Sequence, residues 1–312
     1  MHPAFSVIFL TTLIGVAQGL FLALYAGELG ATFGWLPAQP ARFYVLGSVL
    51  ALSFLIAGLG ASFFHLGRPE RAWRTAAMWR TSWLSREVIV LPAFMAAVSA
   101  YGVLHYTGRP ATVTAGAVAV ALCIALFVCT GMIYACLRFL QEWATPLTIL
   151  NFTLLGAASG FTLAAGYAWI EAQDLVSMYA WGAVVLTLLA FGGRTASLVR
   201  NARIRPRSTL QTAIGIKHPQ IVQKAQGFMG GSFNTREFFH GRTVAVVRTV
   251  KWCFLLLVFP VPVVLLLAGA LSGSAVLTAS AFPVQYAGLL AERWFFFAQA
   301  RHPQNLYYQA IS

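Results

Sequence analysis

Residues 113–137 read VTAGAVAVALCIALFVCTGMIYACL and contain no charged side chain. A helix needs about 20 apolar residues to cross the ~30 Å hydrocarbon core of a bilayer, and this run meets that length. Backbone polar groups find no water partner in lipid, so a run that crosses must be helical. The stretch therefore predicts a membrane-spanning α-helix.

The rest of the chain repeats this pattern. The full chain is 59% hydrophobic and 9% charged, whereas about a quarter of the residues of a soluble domain are charged. We predict an all-α polytopic membrane protein with eight transmembrane helices in two four-helix bundles. The halves are 1–140 and 141–312, and the second half includes a long loop at 200–249 and a tail at 299–312. The predicted spans are 5–26, 43–64, 87–106, 113–137, 148–170, 178–199, 250–271 and 276–298.

The basic residues predict the orientation. Eight spans place both termini on one side, and of the 21 Lys and Arg residues all but Arg42 and Arg109 fall on that side. This count includes Arg194 and Arg293, which we assign to the ends of spans. Positively charged loops stay in the cytoplasm, so we expect cytoplasmic termini. The net charge of +13 then indicates a face that meets anionic lipid or an acidic partner, and not nucleic acid.

The segment between the second and third spans, SFFHLGRPERAWRTAAMWRTSWLSREV (62–88), is the most polar part of the first half. We expect a short interfacial helix at 70–78, followed by a cap of the third span. His65 follows the second span, and Glu87 is expected in the first turn of the third. An imidazole and a carboxylate would then face each other at one depth near the cytoplasmic boundary. We expect Ser82 or Ser85 to cap the third span. Trp73, Trp79 and Trp83 are expected to cover the pair of His65 and Glu87 on the cytoplasmic side.

Each of these residues also has a simpler interpretation. Glu87 can complement the positive end of a helix dipole, His65 can be an ordinary interfacial histidine, and the tryptophans can form an aromatic belt. Ionisable groups at membrane depth are costly, however, and this favours a functional hypothesis. A quinone site needs hydrogen-bonding partners for the ring oxygens, a proton carrier and flat apolar walls. His65 and Glu87 meet these requirements.

Two other functions are less compatible with the sequence. Haem held by two histidines needs both at one depth, but His65 and His105 are predicted at opposite membrane faces. The four cysteines lack metal-ligand spacing, so we expect no haem or metal in this chain. A solute transporter would place charges near the bilayer midplane. The acidic residues lie near span ends instead, although Gln18 and Gln285 keep this alternative open.

The sixth loop and the tail are predicted to contact a cytoplasmic partner. The loop is too polar to span a membrane, yet it carries more apolar residues than a disordered segment would. The tail is rich in aromatic and amide side chains. The candidate docking residues on this face are Arg68, Arg74, Arg86, Arg236, Phe238 and Arg301.

Four segments resemble the DMSO-reductase membrane-anchor family. The first two carry the family signature, and the last two resemble the branch of the family that serves quinone-linked sulfite oxidation in the cytoplasm. The segments are HLGRPERAW (65–73), SWLSREV (82–88), GIKHPQIVQKAQGFMGGSFNTREFFHG (215–241) and ERWFFFAQARHPQNLYY (292–308).

The resemblance implies a function in the inner membrane of a bacterium. Family members hold a molybdopterin catalytic subunit and a ferredoxin-like iron–sulfur subunit at the membrane. They exchange electrons with ubiquinone or menaquinone and carry no metal themselves. The family's quinone-site histidine and glutamate correspond to His65 and Glu87, and Arg71, Trp73 and Trp83 complete the expected site. The catalytic chemistry lies outside this chain.

The resemblance leaves the direction of electron flow open. The basic cytoplasmic face favours electron transfer from sulfite to quinone. The alternative is an anchor of a DMSO or related S- or N-oxide reductase that oxidises quinol, and a small-solute transporter is a more distant one.

Overall fold

The computed structural model describes residues 1–222, 224, 238–303 and 305–308, excluding the side chains of His65, Pro69, Tyr307 and Tyr308. This part of the chain is helical and contains no β-strand. The α-helices are α1 (Phe5–Thr32), α2 (Ala41–Ser62), α3 (Trp83–Tyr106), α4 (Thr112–Ala135), α5 (Pro146–Glu171), α6 (Val176–Ala202), α7 (Leu210–Ile214), α8 (Val244–Val258), α9 (Pro260–Ser272), α10 (Ala275–Gln299) and α11 (Asn305–Tyr308). Three 3-10 helices cover Phe63–His65, Pro69–Met78 and Gln173–Leu175.

Seven helices among the described residues are long and apolar enough to cross a membrane. Six of them contain α1 to α6, and the seventh is Val244–Ser272, in which α8 and α9 follow each other across a bend at Phe259 and Pro260. The chain is therefore a multi-pass membrane protein. The eighth predicted span corresponds to α10, which is not one of the seven. This helix has 25 residues and carries several polar side chains, so it is less apolar than the others.

Helix α5 packs most extensively against α1, α4, α6 and α10. Its contact with α1 is close because Gly156 and Gly160 of α5 meet Gly15 and Gly19 of α1. A Cβ atom added to Gly160 would overlap the backbone of Gly19 and Leu20. Small residues that face each other in this way let two membrane helices approach until their backbones touch. Helix α5 thus joins α1 of the first half to α6 and α10 of the second.

The first and last long helices meet at one end of the bundle. The backbone nitrogen of Met1 donates a hydrogen bond to the carbonyl oxygen of Ala300, at 2.8 Å. Residue 1 and the C-terminal end of α10 therefore lie at the same end, which we call the first end. Helix α3 also begins at this end, because Glu87 near its start lines one pocket with Leu10 and Thr11 near the start of α1.

The described parts of the sixth loop contact the tail. Helix α11 packs against α7, and the ring of Phe238 stacks on His302 with centroids 3.8 Å apart. The side-chain amide of Asn305 donates to the carbonyl oxygen of Phe238, at 3.1 Å. The two segments predicted to contact a partner thus adjoin each other at the first end.

Candidate functional site

Glu87 lies one turn deeper in α3 than the sequence predicted. The hydroxyl of Ser82 accepts a hydrogen bond from the backbone N–H of Ser85, at 3.3 Å, so Ser82 is the N-cap and Trp83 is the first helical residue. Glu87 is therefore in the second turn, beyond the free N–H groups that an acidic residue at a helix start would complement. Its side chain is buried, and the helix-dipole interpretation does not account for it.

The Glu87 carboxylate lies between α3 and α4. The hydroxyl of Thr130 on α4 donates a hydrogen bond to its Oε1. A narrow pocket beside it lies among α1, α3, α4 and α5, and the space inside is about the size of a water molecule. We call this the Glu87 pocket. It is lined by Leu10, Thr11, Ile14, Gly15, Gln18, Glu87, Phe127, Thr130 and Phe152. A carboxylate, a hydroxyl and a side-chain amide thus lie among apolar and aromatic walls.

The three tryptophans that were expected to cover the site do not line the Glu87 pocket. The interfacial helix expected at 70–78 is present as the 3-10 helix Pro69–Met78, but Trp73 is 72% exposed and Trp79 is 53% exposed. Arg71 is also exposed and lies 3.8 Å from Glu70. Trp83 is half-buried and does not line the pocket. Arg71, Trp73 and Trp83 do not line the pocket, and their place at a quinone site stays a prediction.

His65 ends the 3-10 helix Phe63–His65 that follows α2. Its side chain lies outside the described residues, so the predicted pairing of His65 with Glu87 stays a prediction.

The predicted docking residues differ in their contacts. Arg86 donates to the carbonyl oxygens of Trp79 and Arg80, at 2.9 and 2.8 Å, and its guanidinium lies 4.1 Å from the ring centroid of Trp83. It therefore fixes the loop to the start of α3. Arg68, Arg74 and Arg301 are exposed, and Phe238 is half-buried. Arg236 lies outside the described residues.

A buried ion-pair cluster corrects the sequence analysis. Arg194 of α6 lies 2.7 Å from Glu292 of α10, and the neighbouring Arg293 contacts the other oxygen of the same carboxylate, at 3.2 Å. All three are at most 3% exposed. The sequence analysis counted both arginines as charges that set orientation and placed Glu292 near a span end. The structure places all three well inside α6 and α10, before the last turn of each helix.

The sequence analysis also missed a pair at the opposite end of α3. His105 lies 3.2 Å from Glu28 and stacks on the ring of Tyr44, with centroids 4.3 Å apart. Eighteen residues of α-helix separate Glu87 from His105, which corresponds to about 27 Å. The bundle thus has one buried carboxylate with a polar partner at each end of α3.

Metal-ligating side chains are scattered. Within the part of the chain that the structure describes, no three His, Cys, Asp or Glu side chains come close enough to hold a metal ion.

Comparison with known proteins shows what this chain is similar to. Residues 1–216 match the family model described as DMSO reductase anchor subunit (DmsC). The chain is also 59% identical over 325 aligned residues to a sulfite dehydrogenase subunit of Allochromatium vinosum, and the alignment covers 100% of both chains.

Proposed function

Because this chain belongs to the DMSO reductase anchor subunit (DmsC) family, we propose that it is the quinone-reactive membrane anchor of a cytoplasmic sulfite-oxidising complex. Its partners would be a molybdopterin catalytic subunit and a ferredoxin-like iron–sulfur subunit. The buried Glu87 carboxylate, with its Thr130 hydrogen bond, carries the proposal. No other observation supports proton exchange at the first end as directly.

The chemistry of quinone reduction explains what Glu87 would do. Two electrons from the iron–sulfur subunit and two protons from the cytoplasm convert a quinone to a quinol. Glu87 would exchange one proton with a ring oxygen, and Thr130 would hold the carboxylate in place. His65 would serve the other ring oxygen. A quinone ring is larger than the space beside Glu87, so we expect binding to displace side chains that line the pocket.

We further propose eight spans with cytoplasmic termini, in an inner bacterial membrane. The hydrogen bond from Met1 to Ala300 supports an even number of crossings, because residues at one end of a bundle are joined by an even number. Helix α10 would then be the eighth span, with its Glu292 paired to Arg194 of α6. Most of the basic side chains would face the cytoplasm. Division into halves 1–140 and 141–312 stays part of this proposal.

The proposed substrate rests on the similarity to a sulfite dehydrogenase subunit and not on particular residues of this chain. The full-length similarity to a sulfite dehydrogenase subunit favours sulfite as the electron donor. The match of residues 1–216 to the DMSO reductase anchor model supports a second candidate, in which the same pocket oxidises quinol and the partner reduces an S- or N-oxide. The two functions use one site in opposite directions.

The complete complex tests the proposal in liposomes that contain ubiquinone or menaquinone. We expect sulfite-dependent quinone reduction by the complex. The catalytic and iron–sulfur subunits without this chain should reduce a soluble artificial acceptor but not quinone. Quinone reduction in the absence of this chain would contradict the assignment. Reduction of DMSO by quinol, without sulfite oxidation, would favour the second candidate.

Deletion of residues 210–240 is expected to release the soluble subunits from the membrane. The loop and the tail adjoin each other at the first end, and we propose that together with Arg68, Arg74, Arg236 and Arg301 they form the docking surface. The measurement is the fraction of each soluble subunit that sediments with membranes. Substitution of the exposed Val276 by serine, at the other end of α10, is the control and should retain both subunits. Sedimentation that is unchanged by the deletion would rule out a docking function of the loop.

A further inference from the structure

The cluster of Arg194, Glu292 and Arg293 brings two guanidiniums into contact with one carboxylate. Glu292 is contacted by both guanidiniums, so one carboxylate faces two buried cations. Glu142 lines the same small pocket, but among the described residues it forms no ion pair within 4.0 Å. Buried charges in a membrane helix are costly, and this cluster therefore suggests a function beyond holding two helices together.

Arg293 contacts a wall of the Glu87 pocket. Its guanidinium carbon lies 3.6 Å from the ring centroid of Phe152, which is a close cation–π contact. Phe152 lines both the pocket beside the ion-pair cluster and the Glu87 pocket. One aromatic ring thus separates Arg293 from the space beside Glu87.

Tyr134 is a second link between the two groups. It follows Thr130 by one helical turn on α4, and its ring stacks on Phe152 with centroids 5.4 Å apart. The phenol interacts electrostatically with both Glu87 and Arg293. Tyr134 therefore lies one helical turn from Thr130, the partner of Glu87, and packs on the ring that Arg293 contacts.

Arg194 has different surroundings. Its guanidinium lies near the rings of Phe254 and Phe295, at 5.5 and 5.8 Å, which belong to a core cluster of the second half. It does not line the Glu87 pocket. The two arginines are thus equally buried partners of one carboxylate, but only Arg293 reaches the pocket wall.

We propose that Arg293 is a positioning residue of the quinone site that acts through Phe152. The guanidinium holds the Phe152 ring in place, so that the ring forms an ordered wall against which a bound quinone packs. Glu292 orients Arg293. This inference rests on the proposed quinone function of the Glu87 pocket.

The test compares substitutions in the assembled complex. Arg293→Gln is expected to raise the KM for quinone about tenfold, the range of a desolvated cation–π contact. It should weaken binding of the quinone analogue 2-heptyl-4-hydroxyquinoline N-oxide by the same factor, measured by fluorescence quenching. Arg293→Lys should restore most of both. Turnover with a soluble artificial acceptor should stay at the wild-type level in every variant.

Arg194→Gln is the matched control, because it removes an equally buried charge from the same carboxylate but leaves the Glu292–Arg293 pair and Phe152 in contact. It should lower the thermal stability of the complex and leave the KM for quinone unchanged. Equal KM effects of Arg194→Gln and Arg293→Gln would overturn the proposal, and so would a wild-type KM in Arg293→Gln.

Phe152→Leu tests the route of the effect and does not depend on how well the arginine variants fold. It should raise the KM about as much as Arg293→Gln, and the double substitution should add nothing further, because both break the same contact. A wild-type KM in Phe152→Leu, or fully additive effects, would overturn the proposal. Normal quinone turnover in both Glu87→Gln and His65→Ala would refute the quinone site itself, a separate outcome from failure at Arg293.

Discussion

Glu87→Gln is expected to lower quinone turnover by about 100-fold or more while leaving turnover with a soluble artificial acceptor unchanged. Glutamine keeps the size of the side chain and can still hydrogen-bond Thr130, but it cannot take up or release a proton. Loss of a positioned acid or base typically costs between 10² and 10⁴ in rate. The measurement is sulfite-dependent reduction of a short-chain quinone by the complex in detergent.

The structure offers a matched control at the opposite end of the first half. Glu28 is as buried as Glu87 and has a polar partner in His105. Glu28→Gln is therefore expected to disturb packing to a similar degree but to leave quinone turnover near the wild-type rate. His65→Ala should resemble Glu87→Gln if the imidazole serves the second ring oxygen. Normal quinone turnover in both Glu87→Gln and His65→Ala would exclude the assigned site.

Gly160→Ala is expected to destabilise the bundle by about 3 kcal/mol. The added methyl group would overlap backbone atoms of Gly19 and Leu20, and backbone cannot move aside as a flexible side chain can. Helices α1 and α5 would have to separate along their whole contact. The measurement is the midpoint temperature at which detergent-solubilised complex loses its monodisperse elution peak, and we expect a fall of several degrees.

Gly192→Ala on α6 is the control for this substitution. A Cβ atom at Gly192 would have no atom within 4 Å, so the same chemical change enters open space. It should leave the midpoint unchanged or raise it slightly, because alanine favours helix over glycine. A fall of equal size in both variants would show that glycine flexibility, and not the α1–α5 contact, determines stability.

The membrane helices could be predicted from the sequence because lipid imposes a length and a composition. Residues 113–137 predict a span, and the structure has α4 at Thr112–Ala135. The cap at Ser82 and the interfacial helix before it follow from local chemistry in the same way. Helix α10 was predicted from length and overall apolarity, which do not by themselves distinguish a span from a buried helix.

The side-chain partners could not be predicted, because lipid tails are as apolar as a protein core. A helix in a membrane shows little periodic pattern to reveal which face is buried. Arg194 and Arg293 lie near the ends of apolar runs, where an arginine that sets orientation and one that pairs inside the bundle look the same in sequence. The adjacent Glu292 is the one signal that favours the second interpretation. Glu87 stands out in the sequence as an ionisable residue near a span end, but its partner Thr130 lies on another helix.

The contact between α1 and α5 also has a consequence for biosynthesis. The ribosome synthesises α1 before α5. The glycine face that α1 presents to α5 therefore has no partner until α2, α3, α4 and then α5 have entered the membrane. During that interval the flat surface around Gly15 and Gly19 meets only lipid or the insertion machinery. The N-terminal helix therefore stays without its main partner, and closure of the bundle waits for the fifth helix to arrive.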